Sequence, residues 1–158
     1  MITSLYETHI QAANLERSIA FYQKLGLELA HVIEHRRRAF FYIGKGRQML
    51  GVQEVEENQE IQLRHYAFEV ALEKIGKGIE WLRQSGIQPT PAFGREPVEP
   101  LVHTWMPAAS IYFDDPDGNS LELIALLNDK PDASSHEVIY FSEWISKMHS
   151  SAGKENLN

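Results

Sequence analysis

The sequence predicts an α+β fold made of two tandem β-α-β-β-β modules. Three observations predict it. A strand-helix-strand-strand-strand order can be read twice along the 158 residues. The apolar helical stretch Ile19–Gly26 lines up with Ile79–Gly86, which sets Phe21 in register with Trp81 and points to an internal duplication. The run Ile111–Leu127 then reads as strand, tight turn, strand, with β-branched and aromatic residues on both sides of Asp114-Asp-Pro-Asp-Gly-Asn119.

In order, residues 5–11 form a short strand containing His9, and Asn14 is a good N-cap for a helix. Leu15, Ile19 and Tyr22 recur at helical spacing, with Phe21 and Leu25 beside them, and Gly26 stops the helix. Strands are expected over residues 27–34, 39–43 and 48–55, the first two joined at His35-Arg-Arg-Arg38, which reads as a solvated hairpin. The second module opens with a strand over residues 63–70, containing His65. Leu72, Ile75, Ile79 and Leu82 make one helical stripe ended by Gly86, and residues 87–90 read as a short strand. Residues 91–107 form a Pro-rich stretch too long for a bare connector, hence a candidate functional loop. After a linker at 128–135 an amphipathic helix is expected over 136–148, with Phe141 and Trp144 docking it or contributing to a dimer contact, followed by a frayed tail at 150–158. The domain expectation is one domain over 1–128, with modules 3–57 and 61–128, and an appendage at 129–158.

Glu122 is the anomaly that points to chemistry. In a period-2 strand it shares a face with Ile124 and Leu126, and a carboxylate among apolar neighbours needs pairing, protonation or a metal. It also reads as an ordinary glutamate on an exposed edge strand. The chain has no cysteine, which excludes disulfides, thiolate nucleophiles and Zn–Cys sites. A net charge of -7 argues against nucleic acid as a partner. No membrane-spanning run or signal peptide is read, so a cytoplasmic protein is expected.

With His9, His65 and Asp115-Pro-Asp-Gly-Asn-Ser-Leu-Glu122 in place, residues 3–127 resemble the vicinal-oxygen-chelate superfamily, which includes glyoxalase I, fosfomycin-resistance proteins, extradiol dioxygenases and bleomycin-resistance proteins. The resemblance implies a cupped, mostly antiparallel eight-stranded sheet, a homodimer, a small-molecule substrate, and one divalent ion (Mn, Fe, Ni or Zn) on His9, His65 and Glu122. Two imidazoles and a carboxylate on neighbouring strands can cap one face of an octahedral ion, leaving positions for water and two adjacent substrate oxygens. The two histidines also read as hydrogen-bonded strand residues.

By the repeat, the first-module partner of Glu122 is Leu50, or Gly51 after a one-residue shift, and neither can ligate through its side chain. Gln53 or Glu54 could stand in only with a bulge or register change. This departs from glyoxalase I-like proteins, which carry a fourth ligand there that also acts as the base. Glu54, His103 and Tyr112 are the candidate acid–base residues. Two function classes follow: a metal-dependent glyoxalase-like enzyme (isomerase, lyase or transferase type, or an extradiol-type dioxygenase), and a metal-free module that sequesters a drug.

Overall fold

The structure, a computed structural model, describes residues 1–155, with side chains described through Ser150. The first module runs β1 (Glu7–Ala12), α1 (Leu15–Lys24), β2 (Glu28–Ile33), β3 (Arg38–Ile43) and β4 (Gln48–Glu54). The second runs β5 (His65–Glu69), α2 (Leu72–Ile75), α3 (Gly78–Gln84), β6 (Leu101–His103), β7 (Ala108–Asp114) and β8 (Ser120–Leu126). The chain ends with β9 (Val138–Tyr140) and α4 (Phe141–Glu155).

The strands form two sheets, ordered β1-β4-β3-β2 and β5-β8-β7-β6-β9. Without β9 the two orders are the same, module for module, and the duplication read from the sequence is a duplication of topology. In the first sheet β1 pairs with β4 in parallel, and β2, β3 and β4 are antiparallel. Among the described residues the expected eight strands become nine, because the linker delivers β9 to the edge of β6.

Three expectations change. The second module's second strand is β6 at Leu101–His103, within the Pro-rich loop, while Pro89 makes only an isolated bridge to Phe113. The single helical stripe at 72–82 is two helices broken at Gly76-Lys77, and its Trp81, in register with Phe21 in the repeat, is 40% exposed. A Cβ on Gly78 would lie 2.6 Å from the Ile111 side chain, so glycine lets α3 begin hard against the sheet. The helix expected at 136–148 starts at Phe141 and continues to Glu155 through most of the supposed tail; residues 156–158 lie outside the described residues.

Contacts divide the chain into two compact units, Met1–His65 with Asp114–Ser120, and Tyr66–Phe113 with the described residues from Leu121 on. The first unit packs α1 on one sheet face, burying Ile10, Ala12, Leu15, Tyr22, Phe41, Leu50 and Val52. Asn14 caps α1 as its sequence position predicts, its side chain accepting from Arg17 N at 2.8 Å. The second unit buries Phe68, Ile79, Leu82, Val102, Phe113, Leu121 and Ala125. Trp144, 2% exposed, docks α4, with its indole N–H donating to Asp129 at 2.9 Å.

The turn at 114–120 is a polar joint inside the first unit. Asp115, 5% exposed, accepts from the Tyr22 hydroxyl at 2.7 Å and from the backbone N–H groups of Asp117 and Asn119, each at 2.9 Å. Asp117 accepts from Ala13 N, from the Ser18 hydroxyl and from Arg17. Gly118 supplies the left-handed φ of 88° that closes the turn. The motif's two inner carboxylates are thus fully employed in holding the turn to α1.

Asp115→Ala strands several buried donors. It should cost about 3 kcal/mol, and Tyr22→Phe about 1 kcal/mol, read as lower urea midpoints at unchanged m-value. A second prediction concerns Glu54. Its carboxylate is held below the ordinary value by the Arg37 guanidinium and then by the Leu15 N–H. A depressed folded value stabilises above the ordinary glutamate range and loses that stability as pH falls through it. Glu54→Gln should therefore lower Tm at neutral pH, with the gap to the parent narrowing on acidification below about pH 4.

Candidate metal and substrate site

One face of the first sheet packs on α1; the other is open. Strand pairing arranges the open face in rows. Glu7, Met49 and Tyr42 are opposite one another, then His9, Gly51 and Phe40, then Gln11, Gln53 and Arg38. Their alternation with buried Ile10, Leu50, Val52, Ala39 and Phe41 follows from the period-2 pleat.

His9 sits in the middle row of this face, on the edge strand β1. Its Nε2 lies 2.8 Å from Glu7 Oε1, and its ring meets Phe40 edge-on at 5.7 Å between centroids. A carboxylate only accepts, so Nε2 carries the proton, and the neutral ring's lone pair falls on Nδ1. That ring edge lies over Gly51, where a Cβ would collide with it. Glycine in this strand is the space the imidazole occupies.

Backbone hydrogen bonds fix the register of the repeat. Met49 N donates to Tyr6 O at 2.7 Å, and Ser120 N donates to Arg64 O at 2.9 Å, the same step in each module. Counting from it, Gly51 is the counterpart of Glu122, and Glu7, not His9, is the counterpart of His65. β4 keeps one register with β1 from Met49 to Glu54 and with β3 from Gln48 to Gln53, so no bulge brings Gln53 or Glu54 to the position of Gly51. His9 and His65 do lie in the corresponding first strands, but two residues apart in register, which the spacing of each first strand from its partner shows.

Glu54 stands on the face opposite His9 and is committed elsewhere. It pairs with Arg37 through both oxygens, at 2.7 and 2.8 Å, and accepts from Leu15 N at 2.6 Å. With its proton affinity lowered by those partners, it is poorly suited to act as a base. His65, at the start of β5, has Nδ1 3.3 Å from the Ser120 hydroxyl.

The second unit brings together three of the expected residues. Glu122 is 5% exposed, with Oε1 wholly out of water. Tyr112, on β7, is 9% exposed, and its hydroxyl lies 2.7 Å from His103 Nε2. Burial, and then the nearby Glu122 carboxylate, push the Tyr112 phenol well above its ordinary value, while the Ser110 hydroxyl acts the other way. At neutral pH this phenol is a donor and not a base. Phe93 covers the pair, its ring 5.2 Å from His103 and 5.7 Å from Tyr112, both near edge-on. It does so from a left-handed backbone, φ 52°. Phe93 keeps its outer face in solvent, at 61% exposed, and Trp105 is 49% exposed.

The donors suit a hard or borderline divalent ion: imidazole and carboxylate, no sulfur, and a carboxylate–histidine pair of the kind that orients a ligand. Among the described residues no group of three His, Cys, Asp or Glu side chains is gathered as a ready-made cluster. The ligand assignment therefore rests on donor type and place in the repeat.

Comparison with known proteins agrees with this architecture. A family model for the glyoxalase/bleomycin resistance protein/dioxygenase superfamily matches residues 5–123. An integron cassette protein from the mobile metagenome of the Halifax Harbour sewage outfall is 32% identical, with TM-score 0.67 over 79% of this chain and 100% of that one. The fosfomycin resistance protein FosX of Listeria monocytogenes, complexed with Mn(II) and sulfate, is 25% identical, with TM-score 0.58 over 81% and 94%. Lactoylglutathione lyase of Agrobacterium tumefaciens shares the fold at 21% identity, with TM-score 0.61 over 78% and 94%. The duplicated module, its strand order and the matched span make this chain a member of the glyoxalase/bleomycin resistance protein/dioxygenase superfamily.

Proposed function

We propose that the protein is a divalent-metal-dependent enzyme of glyoxalase type, acting on a small molecule with two adjacent oxygens. His65, Glu122 and the first-strand pair His9–Glu7 would hold the ion. The observation that carries this reading is Glu122, a buried carboxylate on an otherwise apolar strand, whose burial is costly unless a cation or strong donors meet it. FosX, at 25% identity, is described with Mn(II), which supports a divalent ion here.

A bound divalent ion would supply Lewis acidity to substrate oxygens. The chain's own residues supply the rest. Tyr112 presents a proton that burial and Glu122 keep on its oxygen, and His103 fixes the hydroxyl from the other side. Phe93 screens that pair from water, which strengthens its hydrogen bonds. The absence of a ligating side chain at Gly51, with Glu54 engaged by Arg37, favours lyase or transferase chemistry over a glyoxalase I isomerisation that draws its base from β4. A metal-free module that sequesters a drug is the second reading, favoured by the same glycine. The reading also takes the protein as a cytoplasmic homodimer; no described helix is long and apolar enough to cross a membrane.

Metal content after reconstitution with Mn(II), Fe(II), Ni(II) and Zn(II) in turn is the test. One ion per chain is expected, falling at least tenfold in affinity in His65→Ala and Glu122→Ala. Comparing His9→Ala with Glu7→Gln then identifies the first-strand ligand. No stoichiometric metal with any ion, in folded protein, would leave the sequestration module standing. In the metal-free protein, the Tyr112 phenol should stay protonated where ordinary tyrosines ionise, near pH 10, and Glu122→Gln should move its ionisation down. Phenolate absorbance, with Tyr112→Phe as the reference, reads both.

A further inference from the structure

Arg38 is a half-buried cation on the open face of the first sheet, and the proposed metal chemistry makes no use of it. Two other arginines of the first unit meet carboxylates, Arg17 with Asp117 and Arg37 with Glu16 and Glu54, while Arg64 donates to the Gln62 side chain two residues away and Arg47 stacks over Tyr42. Arg38 meets an amide across the strand pair, its Nε donating to Gln53 Oε1 at 2.6 Å. Among the described residues no carboxylate pairs with it, in a chain with 22 acidic and 15 basic residues.

The amide is itself braced. Gln53 Nε2 lies 2.9 Å from Arg36 O, 3.3 Å from Arg37 O and 2.8 Å from Glu54 O. A glutamine tied to three backbone carbonyls fixes one edge of the guanidinium and leaves the edge bearing both terminal nitrogens to a ligand. That edge is a planar fork that matches a carboxylate's two oxygens, and holding it in place beforehand lowers the ordering cost of binding. Phe40, two residues along the same strand face, offers an apolar wall, and its ring already meets His9. From strand spacing and rise, the Cα atoms of Arg38 and His9 are about 12 Å apart, which leaves room for a small molecule between their side chains.

We infer that Gln53-braced Arg38 is a carboxylate-binding subsite, and that the protein's ligand is a small organic acid whose apolar or aromatic body lies along Phe40 towards His9. As a statement about substrate class this rests on the proposed function; the subsite itself needs no metal.

The test is an amide and guanidinium NMR titration of the full-length, chelator-treated protein with benzoate, beside uncharged benzamide. Saturable shifts are expected at Arg38 Nε–H and the Gln53 side-chain amide with benzoate and not with benzamide. Arg38→Gln should weaken binding at least tenfold. Arg38→Lys should weaken it nearly as much, because a point charge does not replace the fork. Gln53→Ala should weaken it less. Arg47→Gln, which removes the cation stacked 3.9 Å over Tyr42 in the same sheet, should leave it unchanged. Benzoate binding that survives Arg38→Gln, that follows Arg47, or that never perturbs Arg38 in the parent overturns the proposal. Because metal is absent throughout, failure here is separate from failure of the metal-content test, and the parent titration decides even if a variant does not fold.

Discussion

The buried carboxylate of Asp115 is the constraint on which most of the first unit depends. A carboxyl group at 5% exposure needs its acceptor sites filled, and here a phenol, two backbone N–H groups and an asparagine amide fill them. Asn119 then reaches the Gln11 carbonyl, and its own oxygen accepts from Arg64 N, so one turn ties α1, β1 and the segment leading into His65. The turn also determines where β8 begins. Because side chains alternate along a strand, that starting point decides that Glu122 and not Leu121 or Leu123 occupies its face.

The three consecutive arginines show how little a charge run says by itself. Arg36 closes a one-turn 3-10 helix. Arg37 takes a left-handed backbone, φ 48°, which turns its side chain to Glu16 and Glu54. Arg38 starts β3 and projects onto the open sheet face. A solvated hairpin was the reading from sequence, and a single backbone reversal at Arg37 is what separates a structural ion pair from a ligand-facing cation one residue later.

Much of the architecture was legible because it follows from short-range chemistry. Asn14 and Gly26 bound α1, the Asp-Pro-Asp-Gly turn joins two apolar strands, and Trp144 docks a terminal helix. The errors fall where long-range packing decides. Residues 87–90 read as a strand from sequence but contain Pro89 and run into Pro91, and the ladder instead recruits Leu101–His103 between Pro100 and Pro107. The helical stripe at 72–82 ignored Gly76 and Gly78, whose small size serves the approach of α3 to Ile111. Of the candidate residues, Glu122, Tyr112 and His103 were nameable from the sequence and lie together in the second unit, while the placement of Glu7 opposite Met49 and of His9 over Gly51 needed the parallel pairing of β1 with β4.

Gly51 also constrains how this chain could change. A glutamate installed there alone, the single step that would give the first module the counterpart of Glu122, would drive its Cβ into the His9 ring. Replacing His9 alone would leave a gap over the glycine and Glu7 without its partner. Each substitution is unfavourable without the other, so the path to a glutamate at this position crosses a sign-epistatic valley of two coupled mutations. The packing of His9 on β4 is thereby protected by an atom the protein lacks.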